Sequence, residues 1–222
     1  MINKLPRWVE VGGFFLAAIA GFVNAIGLLG FKHQGVSHLT GTSTFLALEI
    51  ANTNLPEVLH LLVIMASFVI GAAFSGLVIG NTALQLGRRY SVALIIESGL
   101  LLLSMLLLND GAQAGQYFAS AACGLQNAMT STYSGAVVRT THVSGLFTDL
   151  GVALGMRLRG HPADKRRTIL YLTLISGFII GGIFGAMGFA AYQFKALLIP
   201  SVFAAFLAVS YAVYLHWPKR LP

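Results

Sequence analysis

The sequence predicts an all-α, polytopic membrane protein made of two related halves, residues 1–110 and 111–222. Hydrophobic residues make up 56% of the chain and charged residues only 9%, whereas a soluble globular protein carries about 25% charged residues. Stretches such as 58–87 and 168–194 contain no Asp, Glu, Lys or Arg, and about 20 apolar residues suffice to cross a bilayer. A polar motif that occurs once in each half completes the prediction.

Each half is predicted to contain three spanning helices and one shorter apolar helix. The shorter segments, at 41–50 and 145–155, are about half as long as a spanning helix needs to be. We interpret them as re-entrant half-helices, which enter the membrane and leave it on the same side. The six predicted spanning helices cover roughly 9–30, 57–80, 91–108, 115–134, 168–190 and 195–216.

The repeated motif joins the end of a long segment to the start of a short one. GFVN at 21–24 precedes SHLTGTSTFL at 37–46, and GLQN at 124–127 precedes THVSGLFTDL at 141–150. Polar and glycine positions recur together with apolar ones, which favours a duplicated binding site over a duplicated scaffold. The matched positions are Gly21/Gly124, Asn24/Asn127, His38/His142, Thr40/Ser144, Gly41/Gly145, Thr44/Thr148 and Leu46/Leu150.

The distribution of Lys and Arg orients the chain. If the short helices do not cross and the N-terminus is cytoplasmic, Lys32 and Lys195 are the only Lys or Arg residues outside. If both short helices crossed fully, Arg88, Arg89 and Arg139 would also lie outside, so the positive-inside rule favours the first arrangement. Because each half crosses the membrane three times, the second half starts on the side opposite to the first. This predicts inverted-topology repeats, with both termini cytoplasmic.

The start of each half-helix is the predicted binding site. A helix that begins inside the membrane presents unpaired N–H groups and the positive end of its dipole. Two such ends from opposite faces would meet near the midplane, where they suit an anion or a small polar solute. The alternative is ordinary N-capping by Thr and Ser. The predicted binding residues are Asn24, Thr40, Gly41, Thr42, Thr44, Gln126, Asn127, Ser144, Gly145 and Thr148.

Amide and imidazole side chains flank the predicted site. Asn24, Gln126 and Asn127 lie late in their long helices, where a buried amide either contacts the solute or ties helices together. His38 and His142 immediately precede the short helices. They could gate the site, bind the solute or shuttle protons, or they could be inert residues at the interface.

Two acids within apolar segments are candidates for proton coupling, because ionisable groups in a membrane are rare and usually functional. Asp149 follows Gly145 by four residues and shares its helical face, so its ionised form would repel an anionic ligand. Glu97 has no Lys or Arg within its span to neutralise it. Arg139, three residues ahead of His142, is either an anion-selecting residue or a plain cytoplasmic anchor.

Composition and motifs exclude several function classes. The net charge of +7 is interpreted as the positive-inside bias, with no nucleic-acid partner. Cys123 is the only cysteine, which excludes a disulfide framework. No phosphate-binding loop, HExxH, GxSxG or CxxC motif occurs, so we expect neither an enzyme nor a cofactor or metal. A membrane enzyme with a metal at His38, His142 and Asp149 is an alternative, although repeat symmetry explains both histidines without metal.

The motif residues carry a family resemblance. GFVNA and HLTG in the first half, with GLQNA at 124–128 and VRTTHVSG at 138–145 in the second, resemble the YoaK family of bacterial inner-membrane proteins over essentially the whole chain. That family is a domain-of-unknown-function family, and the resemblance implies a multi-span protein of the cytoplasmic membrane without a settled substrate. Members usually have Asn where this chain has Thr42, and often Asp where it has Asn24.

These observations together predict a secondary transporter of a small polar or anionic solute, with proton coupling as an option. A passive channel and a membrane-embedded protein without transport activity are the alternatives. Neutralising Asp149 and Glu97 would leave the flux of a channel intact. The expected location is the bacterial inner membrane, and the expected partners are the lipid bilayer and a small-molecule or ion substrate. A homodimer is left open.

Overall fold

The computed structural model describes residues 8–30, 34–80, 88–135, 138–162 and 164–216, and all regular structure within these ranges is helical. The predicted all-α class is therefore confirmed for the described chain. The helices are α1 (Trp8–Gly30), α2 (Leu39–Ala51), α3 (Leu55–Ile79), α4 (Arg88–Asn109), α5 (Ala114–Ser134), α6 (Val143–Leu158), α7 (Lys165–Tyr192) and α8 (Leu198–His216), with a short 3-10 helix (Gln193–Leu197) between α7 and α8.

Four stretches of the described chain are long and apolar enough to cross a membrane. Three of them coincide with α1, α3 and α4, and the fourth, Lys165–Leu215, contains both α7 and α8. The predicted span over 115–134 corresponds to α5, which is not among the four because it is rich in Ser, Thr, Gln and Asn.

The polar character of α5 follows from its enclosure by other helices. It packs along α3 on one side and α4 on the other. The Ser120 hydroxyl is fully buried and donates to the carbonyl oxygens of Ile64 (2.9 Å) and Val36 (3.1 Å). Such side chains are tolerated in an apolar surrounding because protein groups satisfy them. The helix ends at Gly135, whose φ of +61° is the left-handed conformation that closes many helices.

The two short helices are longer than the sequence pattern predicts. Instead of 41–50 and 145–155, α2 has 13 residues and α6 has 16. Each begins directly after its histidine, and α6 continues through Arg157, because an exposed arginine in a last turn does not end a helix. At 1.5 Å per residue the helices are about 20 and 24 Å long, which is still short of the ~30 Å hydrocarbon core.

The last helix starts three residues later than the approximate start predicted at 195. Residues 193–197 form the 3-10 helix, and α8 starts at Leu198. Gln193 has a φ of +51°, which an α-helix does not accommodate, so the chain turns sharply there after α7. The junction lies where the predicted spans leave a gap, between 190 and 195.

Two helix pairs, α1 with α7 and α3 with α5, make the most extensive contacts in the described chain. A Cβ atom at Gly21 would collide with the Phe178 carbonyl oxygen, and one at Gly124 would collide with that of Phe68. Backbones therefore approach closely, as at small-residue helix interfaces in membranes. Two further contacts also join a glycine of one predicted half to a backbone carbonyl of the other. They are Gly181 against the Ala18 carbonyl and Gly71 against that of Ala121.

Polar contacts near the helix starts show which helices begin at the same end. Glu10 of α1 and Arg166 of α7 form an ion pair of 2.8 Å between Oε1 and Nε. In the other pair, His60 of α3 contacts the Tyr117 hydroxyl through Nδ1 (2.8 Å) and the Gln116 Oε1 through Nε2 (2.9 Å). In each pair the two helices therefore run side by side in the same direction.

Candidate functional site

A cavity of about 630 Å³ lies where α2 and α6 begin. We name it the motif cavity because both copies of the repeated motif contribute to its wall. Its volume is within the range of small-molecule sites. The lining residues are Asn24, Ser37, His38, Leu39, Thr40, Phe68, Asn127, Ser131, Arg139, Thr141, His142, Val143, Ser144 and Phe178.

Both short helices begin at a histidine in the same conformation. The N-cap residues are His38 (φ −94°, ψ 64°) and His142 (φ −97°, ψ 58°), and neither side chain caps its helix. A Cβ atom at Gly41 or Gly145 would collide with the imidazole of the preceding histidine. Glycine at these positions therefore lets each ring lie across the first helical turn. The alternative of N-capping by Thr or Ser is wrong, since the capping positions hold histidines.

The first turns of α2 and α6 leave backbone N–H groups without helical partners. In α2 the first helical bond runs from the Thr42 nitrogen to the His38 oxygen (3.0 Å), and α6 starts in the same way. The three N–H groups before that bond have no carbonyl one turn back. Thr40 and Ser144, which carry two of these groups, both line the motif cavity.

The two motif asparagines line the cavity but differ in their hydrogen bonds. The Asn24 Oδ1 accepts hydrogen bonds from the Ser37 hydroxyl (3.0 Å) and the Ser37 backbone N–H (3.4 Å). The Asn127 Oδ1 is buried and has no partner within the described residues. One amide oxygen is thus committed to the segment before α2, while the other is left unsatisfied beside the cavity.

Four hydroxyl groups of the described cavity wall are also uncommitted. One turn further along the short helices, the Thr44 hydroxyl donates to the Thr40 carbonyl and the Thr148 hydroxyl to the Ser144 carbonyl, both at 3.0 Å. The hydroxyls nearer the helix starts are different, because they form no hydrogen bond within the described residues. These wall hydroxyls belong to Thr40, Ser131, Thr141 and Ser144.

Several predicted binding residues lie outside the cavity wall. The Gln126 Nε2 donates to the Leu16 carbonyl (2.8 Å) and the Thr140 hydroxyl (3.0 Å), so this amide ties α5 to α1 and to the segment before α6. Thr42 is buried, and its hydroxyl donates to the His38 carbonyl (3.2 Å). The others outside the wall are Thr44 and Thr148, described above, and Gly41 and Gly145, which lie beneath the histidine rings.

The two predicted coupling acids are also away from the cavity wall. Glu97 of α4 is 1% exposed, and its Oε2 has no partner within the described residues. Asp149 is exposed on α6 and interacts with the Tyr171 hydroxyl of α7. Its position one turn beyond Gly145 explains the separation, because only the first turn of α6 borders the cavity.

Sequence reasoning missed the two aromatic residues of the wall, Phe68 and Phe178. They are 110 residues apart (178 minus 68), the offset that also relates Ile70 and Ile180, so that periodicity could have found them. Arg139 was left open between two roles, and it lines the cavity with its side chain exposed. Further wall residues not singled out from the sequence are Ser37, Ser131 and Thr141.

A second cavity, of about 270 Å³, lies between α1, α4, α5 and α8. Tyr90, Tyr133, Tyr211 and Tyr214 stand in an otherwise largely apolar wall. The Tyr90 ring packs edge-on against those of Tyr133 and Tyr211, with centroids 6.0 and 5.5 Å apart. This cavity contains none of the predicted site residues, and it lacks the convergent polar groups of the motif cavity.

Comparison with known proteins adds a family to this geometry. The family model described as "Protein of unknown function (DUF1275)" matches residues 12–210, a range that includes every lining residue of the motif cavity. No curated protein and no solved structure matches the chain. Within the described residues, no group of three or more His, Cys, Asp or Glu side chains is placed to hold a metal ion.

Proposed function

We propose that this chain, which belongs to the family of proteins of unknown function DUF1275, is a secondary transporter of a small polar or anionic solute. The solute would bind in the motif cavity between the starts of α2 and α6. In this proposal the protein crosses the bacterial inner membrane with six spanning helices. The two short helices are re-entrant, and both termini are cytoplasmic. The chain also resembles the YoaK family, and this resemblance does not indicate a substrate.

The observation that carries this proposal is the meeting of both motif copies at one cavity. Each copy contributes an asparagine, a histidine and a helix start. Non-helical backbone at membrane depth is tolerated where it is buried in protein or lines a wet cavity. Short helices that point their N-termini at a shared central site are a recurrent feature of secondary transporters.

The packing of the halves supports the inverted-repeat part of the proposal. Gly21 of the first half meets Phe178 of the second, and Gly124 of the second half meets Phe68 of the first. A two-fold relation between halves produces this reciprocal pattern, and transporters of this kind move one repeat against the other around a fixed site.

The test is solute uptake by proteoliposomes, followed by light scattering after mixing with glycerol, urea, acetate or nitrate. We expect uptake of at least one solute, and Asn127→Leu should slow it by about tenfold, because the variant loses a hydrogen-bonding group at the site. Asn109→Leu, at the exposed end of α4, is the matched control. Equal uptake by protein-free vesicles and by all three proteins would contradict the proposal.

Coupling to protons is the part of the proposal that separates a transporter from a channel. Glu97 is a buried carboxyl with an unpartnered oxygen, and such groups in membranes frequently carry protons. Glu97→Gln should abolish solute accumulation driven by a pH gradient while leaving equilibration down a solute gradient intact. If the parent never accumulates solute, and Glu97→Gln with Asp149→Asn equilibrates it at the parent's rate, the protein is a passive channel.

A further inference from the structure

The charges around the motif cavity are unbalanced. Arg139 lines the cavity and forms no ion pair or hydrogen bond within the described residues. No Asp or Glu is among the described residues of the wall. The acids of the neighbouring segments lie outside the wall, since Asp149 is exposed on α6 and Glu97 of α4 is buried away from it. The cavity therefore holds one fixed positive charge without a counter-charge.

Several of the remaining polar groups of the wall can donate hydrogen bonds. The uncommitted hydroxyls of Thr40 and Ser144 stand beside the unpaired N–H groups at the two helix starts. Ser131 and Thr141 add two further uncommitted hydroxyls. Donors that share a cavity wall with a guanidinium suit a ligand that accepts several hydrogen bonds and carries negative charge.

We infer that the ligand of the motif cavity is a small monovalent anion, bound by Arg139 together with the wall hydroxyls. This inference rests on the proposed function for the role of the cavity and specifies its substrate class. A single arginine matches a single negative charge, and Phe68 and Phe178 in the wall are apolar partners for a short apolar part of the anion. A carboxylate and an inorganic anion such as nitrate share the required chemistry.

The experiment compares anions with neutral molecules of the same shape. Purified full-length protein is titrated with acetate and acetamide, with formate and formamide, and with nitrate and chloride, while its thermal unfolding is followed. Ligands that bind the folded state raise the midpoint temperature in proportion to their occupancy. We expect at least one anion to bind, with its neutral counterpart about tenfold weaker or absent.

Two arginine variants locate the binding. Arg139→Gln should weaken the bound anion by about tenfold, whereas Arg157→Gln, at the exposed end of α6 and outside the wall, should leave the dissociation constant unchanged. Acetamide binding as well as acetate, no anion binding, or equal effects of both variants would overturn the inference. Should Arg139→Gln fail to fold, the comparison of anions with amides on the parent protein decides alone.

The outcomes also separate this inference from the proposed function. Anion binding through Arg139 without any uptake by proteoliposomes would support the anionic ligand class and overturn the proposed transport function. Uptake of a neutral solute without anion binding would keep the transporter and overturn the ligand class. If a carboxylate binds more tightly than nitrate and chloride, the ligand is an organic carboxylate. If nitrate or chloride binds more tightly, the ligand is an inorganic anion.

Discussion

Replacing Gly71 with alanine is expected to destabilise the protein strongly, whereas the same change at Gly76, five residues along the same helix, should be harmless. A Cβ atom at Gly71 would collide with the Ala121 carbonyl oxygen of α5, but one at Gly76 would meet nothing within 4 Å. The obstacle at Gly71 is backbone, which cannot turn away as a flexible side chain can. Relief therefore requires α3 and α5 to separate along their most extensive contact.

The expected cost is large for a single methyl group. Overpacking in a well-packed core typically costs about 1–3 kcal/mol, and a backbone obstacle places Gly71→Ala at or above the upper end. Gly76→Ala should be neutral or slightly stabilising, because alanine favours a helix over glycine by roughly 0.5–1 kcal/mol. Thermal unfolding of the two variants in detergent measures the difference. Matching midpoints would show that α3 and α5 do not pack as described.

The second large effect is expected at the start of α6. Gly145→Ala would push the His142 imidazole off the first helical turn, because the new methyl group occupies the place of the ring. Since His142 lines the motif cavity, we expect solute affinity to fall by about tenfold, the equivalent of one lost hydrogen bond. Gly151→Ala in the same helix meets nothing within 4 Å and should bind as the parent does.

A double-mutant cycle tests whether the effect runs through the histidine. Once His142→Ala has removed the ring, adding Gly145→Ala should change affinity by less than about twofold, because coupled residues are not additive. The quantity to compare among the parent, the two single variants and the double variant is the dissociation constant of the solute that raises the unfolding temperature. Additive losses from the two changes would mean that the glycine acts independently of the ring.

Much of the fold could be predicted because each relevant signal is local. Long apolar segments locate the helices to within a few residues, and the motif places His38 and His142 directly before the short helices, where they lie. The sequence also predicts a break between α7 and α8, because the predicted spans end at 190 and restart at 195. The positive φ of Gln193 and the 3-10 helix that follows escaped prediction, because they depend on how α7 and α8 pack.

The site could be predicted only in part, because residue type does not determine direction. Asn24 and Asn127 occupy matched motif positions, but one amide oxygen bonds to Ser37 while the other has no partner in the described chain. Gln126 is adjacent to Asn127 and points to Leu16 and Thr140 instead. Helical rotation of about 100° per residue separates such neighbours, and packing then decides which one reaches the cavity.

Thiol labelling from each side of the membrane tests whether the motif cavity is the transport site. Cys123 is buried, so a Cys123→Ala background allows a single cysteine to be placed at Ser144 in the cavity wall and, as a control, at the exposed His161. A membrane-impermeant thiol reagent is then applied to either side of oriented vesicles. Alternating access to the motif cavity predicts that the Ser144→Cys protein reacts from both sides and loses solute uptake, while His161→Cys reacts from one side only. Failure of Ser144→Cys to react from either side, or reaction without any loss of uptake, would contradict it.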